Sequence, residues 1–160
     1  MNLRVVAFCL IAACGVSASA ADLASRFVQK VALPPQQIAV VAEGDFEARS
    51  IGSYSVRVYS TEGGQPGDDT TFYAAGIVRP RDGAVESLSL AKLDLKGPPV
   101  LVVTIRSAGS GGYLSADAFL ITKGEIRLIA SVSGLPPNAD PVPALREAVQ
   151  RGKAKRPPGG

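Results

Sequence analysis

The sequence predicts an all-β fold, an antiparallel β-sandwich of about seven or eight strands with short N- and C-terminal helices. Apolar and polar residues alternate with a period of two from Ile38 onward, which is the pattern of half-buried strands. Seven such runs follow one another at intervals of roughly ten residues, and segments rich in Gly, Pro and Asp separate them. An open barrel of the same strands is the alternative architecture.

The first predicted element is a short helix over residues 23–30. Asp22 before it is a good N-cap, and apolar residues including Phe27 and Val31 recur at the spacing of one helix face. A Pro-Pro pair follows shortly afterwards, and a helix must end before it. The alternation typical of strands begins only beyond this pair.

Seven runs are predicted to be strands. They cover residues 38–42, 53–60, 72–78, 85–95, 100–105, 114–120 and 126–132. The run at 100–105 is almost entirely apolar, which predicts a central strand covered on both faces. The alternation at 85–95 changes phase after Leu90, which predicts a β-bulge near Ala91 and Lys92.

The remaining signals concern strand ends, turns and the last helix. Pro80 and the residues just after it are predicted to end the third strand, and Lys123-Gly124 is predicted to be a tight hairpin turn. A short terminal helix is predicted over residues 143–151, on the outside of the sandwich. In the strand at 114–120 one face is apolar, and it consists of Leu114, Ala116, Ala118 and Leu120.

The chain starts like an exported protein. A positive start, an apolar run at residues 5–13 and a small-x-small site ending at Ala20 predict a signal peptide over residues 1–20 and a periplasmic location. The domain is then predicted over residues 21–150, followed by a basic disordered tail over 151–160. The sequence ending at Cys14 also resembles a lipobox, so lipid anchoring at Cys14 stays open. No transmembrane segment is predicted.

Composition excludes most familiar active sites. The chain has no His, and its two cysteines, Cys9 and Cys14, lie in the predicted leader. This excludes Ser-His-Asp and Cys-His catalysis and metal sites built on nitrogen or sulfur. No cofactor or metal is predicted, because the segment 94–97 offers one carboxylate where calcium needs several, and we expect an ordinary turn there.

The charge pattern does not favour nucleic acid as a partner. Residues 21–150 hold 12 Lys and Arg against 14 Asp and Glu, so the domain is slightly acidic. Four basic residues lie in the predicted tail among Gly and Pro, which is typical of a solvated, disordered end. We therefore predict no nucleic-acid partner.

The most unusual segment is RSAGSGGY at residues 106–113, here called the glycine loop. It is not followed by a helix and lacks the Gly-Lys-Ser/Thr ending of a phosphate-binding loop. An ordinary hairpin connection is one interpretation. The other is that Ser110 and Tyr113 present hydroxyl donors on a backbone narrow enough to enter a cleft, because Gly111 and Gly112 add no bulk.

Four stretches carry a family resemblance. They are VAEGDFEARSIGSYSVRVYS at 41–60, AAGIVRPRDGAVE at 74–86, VVTIRSAGSGGYLSADAF at 102–119 and ASVSGLPPNADPV at 130–142. Together they closely resemble the bacterial periplasmic inhibitors of invertebrate-type (i-type) lysozyme, over about residues 27–149. The Ser-Gly-Gly-Tyr segment is the specific part, and the turn at 94–99 and the basic tail depart from the family pattern.

The resemblance implies an antiparallel β-sandwich that is not an enzyme, whose partner is an i-type lysozyme, and it allows a homodimer. It also implies that Ser110 and Tyr113, with Gly111 and Gly112 between them, enter the substrate cleft of the lysozyme. Arg106 is a candidate support for this loop. The alternative is an envelope-associated structural or ligand-binding sandwich in which the glycine loop only connects two strands.

Overall fold

The computed structural model describes residues 26–65 and 67–154, with side chains to residue 152. Its elements are β1 (Val28–Leu33), β2 (Gln37–Glu43), β3 (Ile51–Ser60), β4 (Phe72–Asp82), β5 (Ala84–Ala91), β6 (Val100–Arg106), β7 (Leu114–Thr122), β8 (Glu125–Leu135) and α1 (Pro141–Ala154). Strands β1 to β4 form sheet 1 and strands β5 to β8 form sheet 2, each in sequence order and antiparallel throughout. The predicted sandwich is confirmed, and the open barrel is not formed.

The predicted N-terminal helix is wrong where the structure describes it. Residues 28–33 form β1, which pairs with β2 in the register Val28 to Ala42. A spacing of four between Phe27 and Val31 suits one helix face, but it also places both residues on one face of a strand. In the fold both side chains pack against the core between the sheets. The start of the predicted helix lies outside the described residues, as does the whole predicted signal peptide with Cys9 and Cys14.

Two predicted interruptions of strands are also wrong. Strand β4 continues through Pro80, which pairs with Ser53, and ends at Asp82. The sheet tolerates this proline because β4 is an edge strand. The bulge of β5 lies between Val85 and Ser87, and the phase change near Ala91 instead marks the end of the strand.

The sandwich has a third layer, because α1 covers the outer face of sheet 2. The core between the sheets consists of Leu33, Ala39, Val41, Tyr54, Val56, Val58, Val85, Leu101, Val103, Ile105 and Phe119. The second core, beneath the helix, consists of Leu93, Val100, Val102, Ala116, Ala118, Ala130 and Leu145. Strand β6 contributes to both, so the predicted central strand is confirmed. On the face of β7 that the sequence identified as apolar, Ala116, Ala118 and Leu120 pack beneath α1, and Phe119 on the other face is also buried.

The terminal helix is longer than predicted. The Asp140 carboxylate accepts a hydrogen bond from the Val142 amide at 3.0 Å, so Asp140 caps the start of α1. The helix ends at Ala154, so the first four residues of the predicted disordered tail are helical. Residues 155–160 lie outside the described part of the chain. The hairpin predicted at Lys123-Gly124 is present, with φ of 79° at Gly124.

One buried carboxylate joins the two sheets through their polar side chains. Asp117 of β7 accepts hydrogen bonds from the Tyr54 hydroxyl of β3, from Arg79 Nε of β4 at 3.4 Å and from the Ser131 hydroxyl of β8. Tyr54 is fully buried. Burial, followed by the hydrogen bond and charge of Asp117, raises the pKa of Tyr54 far above its usual value of 10.0.

This raised pKa predicts a loss of stability in alkali. Above about pH 10 the unfolded chain releases the Tyr54 proton while the folded chain keeps it, so the free energy of unfolding falls as pH rises. Tyr54→Phe should lower stability by about 1.5–3 kcal/mol near neutral pH, since it removes a buried hydrogen bond to a charged group. It should also flatten the alkaline slope. Urea unfolding at about pH 8 and about pH 11 measures both effects.

Tyr113→Phe is the control for this measurement, because Tyr113 is exposed and belongs to no contact of Asp117. It should reproduce the alkaline slope of the wild-type chain. An unchanged slope in Tyr54→Phe would show that the buried tyrosine is not the group that titrates.

Candidate functional site

The glycine loop is a compact turn between β6 and β7, not an open chain. The Ser107 amide donates a hydrogen bond to the Tyr113 carbonyl at 2.9 Å, which closes the base of the loop. At the tip, the Gly112 amide donates to the Gly109 carbonyl at 3.0 Å. Gly112 has a φ of 53°, a left-handed conformation that glycine adopts without strain. The backbone of the loop is therefore fixed by its own hydrogen bonds.

The two hydroxyl residues of the glycine loop face solvent. Ser110 is exposed at the tip, and 55% of Tyr113 is exposed. Within the described part of the chain, no hydrogen bond engages either hydroxyl. A Cβ on Gly111 would lie 2.4 Å from the Tyr113 ring, so the absence of a side chain there lets the ring lie against the loop. The structure thus brings together the four residues that the sequence singled out.

Arg106, the first residue of the glycine loop, fixes the loop to the segments around it. Its Nη1 donates to the Gly112 carbonyl at 2.9 Å, and its Nη2 donates to the Pro137 carbonyl at 3.1 Å. The same Nη2 pairs with Glu86 Oε1 at 2.6 Å. One guanidinium therefore ties the loop to β5 and to the segment that follows β8, as its planar set of donors allows. The sequence identified Arg106 only as a candidate support.

A buried charged pair at the same end of the sandwich was missed by the sequence reading. Arg81 of β4 is 4% exposed and Glu43 of β2 is 2% exposed. Arg81 Nε lies 3.8 Å from Glu43 Oε1. Glu43 also accepts hydrogen bonds from the Val85 amide at 2.7 Å and the Phe27 amide at 3.0 Å. Because Val85 belongs to sheet 2, this carboxylate fastens the two sheets together.

Arg81 also fixes the backbone around it. Its guanidinium donates to four carbonyl oxygens, which belong to Ala48, Arg49, Ser53 and Gly83. Gly83 links β4 to β5 with a φ of 114°, and a Cβ there would lie 1.9 Å from the Arg106 carbonyl. The close approach requires glycine. The only sequence signal was the Asp82-Gly83 step, which indicates a turn but not what packs against it.

A second carboxylate at this end is held in its ionised form. Glu47 accepts hydrogen bonds from the Ser53 amide and, at 2.7 Å, from the Ser53 hydroxyl. These bonds, the backbone one first, lower the pKa of Glu47 below its usual value, and the nearby charge of Arg81 acts in the same direction. Glu47 therefore stays charged and keeps the β2–β3 loop closed.

In the part of the chain it describes, the structure shows no cluster of side chains that could hold a metal ion. No three His, Cys, Asp or Glu residues there lie close enough together to hold an ion. In the segment 94–97 the Gly97 amide donates to the Asp94 carbonyl at 3.2 Å, as in an ordinary turn.

Across residues 26–65 and 67–154, no helix has the length and apolar character needed to cross a membrane.

Comparison with protein families matches residues 25–149 to the periplasmic lysozyme inhibitors of I-type lysozyme. The chain belongs to this family. The crystal structure of the family member from Aeromonas hydrophila is 42% identical and matches with a TM-score of 0.68, over 74% of this chain and 98% of that one. A second structure, of the Aeromonas hydrophila inhibitor in complex with Meretrix lusoria lysozyme, has the same identity and TM-score, over 75% and 95% of the two chains. Comparison with curated proteins gives no match.

Membership confirms the resemblance drawn from the four sequence stretches. The family is one of periplasmic inhibitors, not of enzymes, which agrees with a mature domain that the sequence predicts to lack His and Cys. The matched range covers the whole sandwich, including the glycine loop and most of α1. The fold and the family thus agree.

Proposed function

We propose that this protein inhibits i-type lysozyme by inserting the glycine loop into the substrate cleft of the enzyme. The observation that carries the proposal is the loop itself, which presents Ser110 and Tyr113 on a narrow backbone that its own hydrogen bonds and Arg106 hold in place. Family membership supports the choice of target. The loop adds no side chain at Gly111 or Gly112 that would widen it.

The chemistry of a lysozyme cleft suits two hydroxyl donors. Glycoside hydrolases commonly place two carboxyl groups across the cleft, one acting as an acid and one ionised. The Ser110 and Tyr113 hydroxyls can each donate a hydrogen bond to such a carboxylate, and hydrogen bonds to charged groups are the strong ones. A peptide loop offers no glycosidic bond to cleave, so it occupies the sugar sites without being consumed.

Pre-organisation explains why a glycine-rich loop can bind tightly. Ordering a flexible loop on binding costs about 0.5–1.5 kcal/mol for each immobilised side chain, in addition to the cost of the backbone. Here Arg106 and the two backbone hydrogen bonds fix the loop before the enzyme arrives. Little of the binding free energy is then spent on ordering.

Removing the hydroxyls should weaken inhibition without unfolding the protein. Hydrogen bonds to charged partners are worth about 1.5–3 kcal/mol each, so Ser110→Ala and Tyr113→Ala should each weaken binding roughly 10- to 100-fold. Tyr113→Ala should have the larger effect, because the ring also loses apolar contact. Titrating the lysis of peptidoglycan by an i-type lysozyme measures the inhibition.

The matched control is Ser89→Ala, an exposed serine on β5 that lies away from the glycine loop. All three variants should keep the wild-type free energy of unfolding within about 0.5 kcal/mol, as surface substitutions do. Wild-type inhibition by both loop variants would overturn the proposed role of the loop. Inhibition would then have to come from another surface of the sandwich.

We further propose that a signal peptidase removes residues 1–20 and that the mature chain starts at Ala21. These residues lie outside the described part of the chain, and the proposal rests on the small-x-small site before Ala21. Mass spectrometry of the protein from the periplasm should find Ala21 as the first residue. A diacylated N-terminal Cys14 would instead establish the lipid-anchored form.

We also propose that two copies associate through the outer face of sheet 1. The helix covers sheet 2, whereas sheet 1 leaves Tyr73 61% exposed and Val78 68% exposed on β4. Tyr59 of β3 stacks edge-on against Tyr73, with ring centres 5.9 Å apart, and extends this apolar surface. Val78→Lys should shift a dimer to monomer in sedimentation at micromolar protein. A wild-type protein that is monomeric there would contradict the proposal.

A further inference from the structure

Phe46 is fully exposed at the tip of the loop between β2 and β3. It also has a φ of 61°, in the left-handed region that bulky side chains rarely adopt. No apolar contact within the described chain compensates for this conformation, because the ring faces solvent. Strained backbone of this kind persists only where the surrounding structure imposes it, and it is often found at binding sites.

The residues around Phe46 hold it in this left-handed conformation. The residues of this loop, 44–50, are here called the Phe46 loop. Arg81 donates to the carbonyls of Ala48 at 3.1 Å and Arg49 at 3.0 Å, and the Gly44 amide donates to the Ser53 carbonyl at 3.0 Å. The Glu47 carboxylate is bound by Ser53, so its neighbour Phe46 is held on the outside. The ring is thus presented to solvent on a fixed backbone.

The Phe46 loop and the glycine loop share one base. The Gly83 amide donates to the Ser50 carbonyl at 2.9 Å, which fixes the end of the Phe46 loop. The same Gly83 packs tightly against Arg106, because a Cβ on Gly83 would lie 1.9 Å from the Arg106 carbonyl oxygen. One residue therefore contacts both loops. Both project from the end of the sandwich where β2, β4 and β6 finish.

We propose that Phe46 is a second contact of the lysozyme-binding surface, and that its ring packs into an apolar recess beside the substrate cleft. The inference rests on the proposed function, because it places the partner on the same end as the glycine loop. Ligand clefts are lined mainly by apolar and aromatic side chains, which suit a phenyl ring better than a charged group. Aromatic residues, Phe included, are also enriched at the cores of protein interfaces.

The test replaces the ring without disturbing the backbone. Asn tolerates a positive φ better than other side chains, so Phe46→Asn removes the ring and keeps the loop conformation. We expect it to weaken inhibition of an i-type lysozyme at least about tenfold. Its thermal midpoint should stay equal to that of the wild type or rise, because the strain is relieved.

Leu95→Asn is the matched control, since Leu95 is 91% exposed on the β5–β6 turn at the opposite end of sheet 2. It should leave inhibition unchanged. Wild-type inhibition by Phe46→Asn, in an assay where Tyr113→Ala is weakened, would overturn the role of Phe46 and leave the proposed function standing. If Tyr113→Ala and Ser110→Ala also inhibit like the wild type, insertion of the glycine loop is not how the protein inhibits, and the proposed function fails with it. Equal weakening by Leu95→Asn would also overturn the proposal, because the effect would not depend on the site.

Discussion

The buried pair of Arg81 and Glu43 is the constraint on which the end of the sandwich that carries the glycine loop depends. Burying a charge costs several kcal/mol unless it is paired and its remaining hydrogen-bonding groups are satisfied. Here both conditions are met, because Arg81 donates to four backbone carbonyls and Glu43 accepts from two backbone amides. Removing either partner would leave the other buried and uncompensated. The pair therefore determines where the backbone at this end can lie.

The positions of the loops follow from this pair. Glu43 binds Val85 of sheet 2, and Arg81 binds Gly83, so the link from β4 to β5 is fixed relative to both sheets. Gly83 in turn lies against the Arg106 backbone at the end of β6. Strand β6 cannot shift, because the core between the sheets covers one of its faces and the second core covers the other. The glycine loop thus extends from a rigid strand, although the loop itself is made mostly of residues without side-chain bulk.

The strands could be predicted from the sequence because they depend on a local pattern, the period of two. The glycine loop could also be predicted, since its composition is unusual and its neighbours carry the family resemblance. The N-terminal error arose because a spacing of four fits a helix face and a strand face equally well. Pro80 was misread for a related reason, because the sequence does not say which strand lies at an edge. In both cases the pairing of strands determines the structure, and strand pairing depends on residues that are far apart in the sequence.

The supporting network could not be predicted for the same reason. Glu43 and Val85 lie 42 residues apart, and Tyr54 and Asp117 lie 63 residues apart. The periodicity of the sequence places Asp117 on the polar face of its strand. It cannot show that Tyr54, on the opposite sheet, donates a hydrogen bond to the Asp117 carboxylate. The hydroxyl-bearing residues were therefore identifiable from the sequence. The residues that hold them in position were visible only in the fold.

The separation between the hydroxyl-bearing residues of the loop and the buried residues that hold them bears on how such an inhibitor can be selective. On the proposed mechanism, Ser110 and Tyr113 bind carboxylates that glycoside hydrolases commonly share, so these bonds contribute affinity but discriminate little between lysozyme classes. Discrimination requires contacts whose fit differs between targets. On the proposed mechanism the surface around the glycine loop would supply them, because Gly83 and Arg81 hold the Phe46 loop beside it and Arg106 holds the segment at Pro137. The charged network beneath the loops fixes the placement of the two loops relative to each other, which a flexible hairpin could not do.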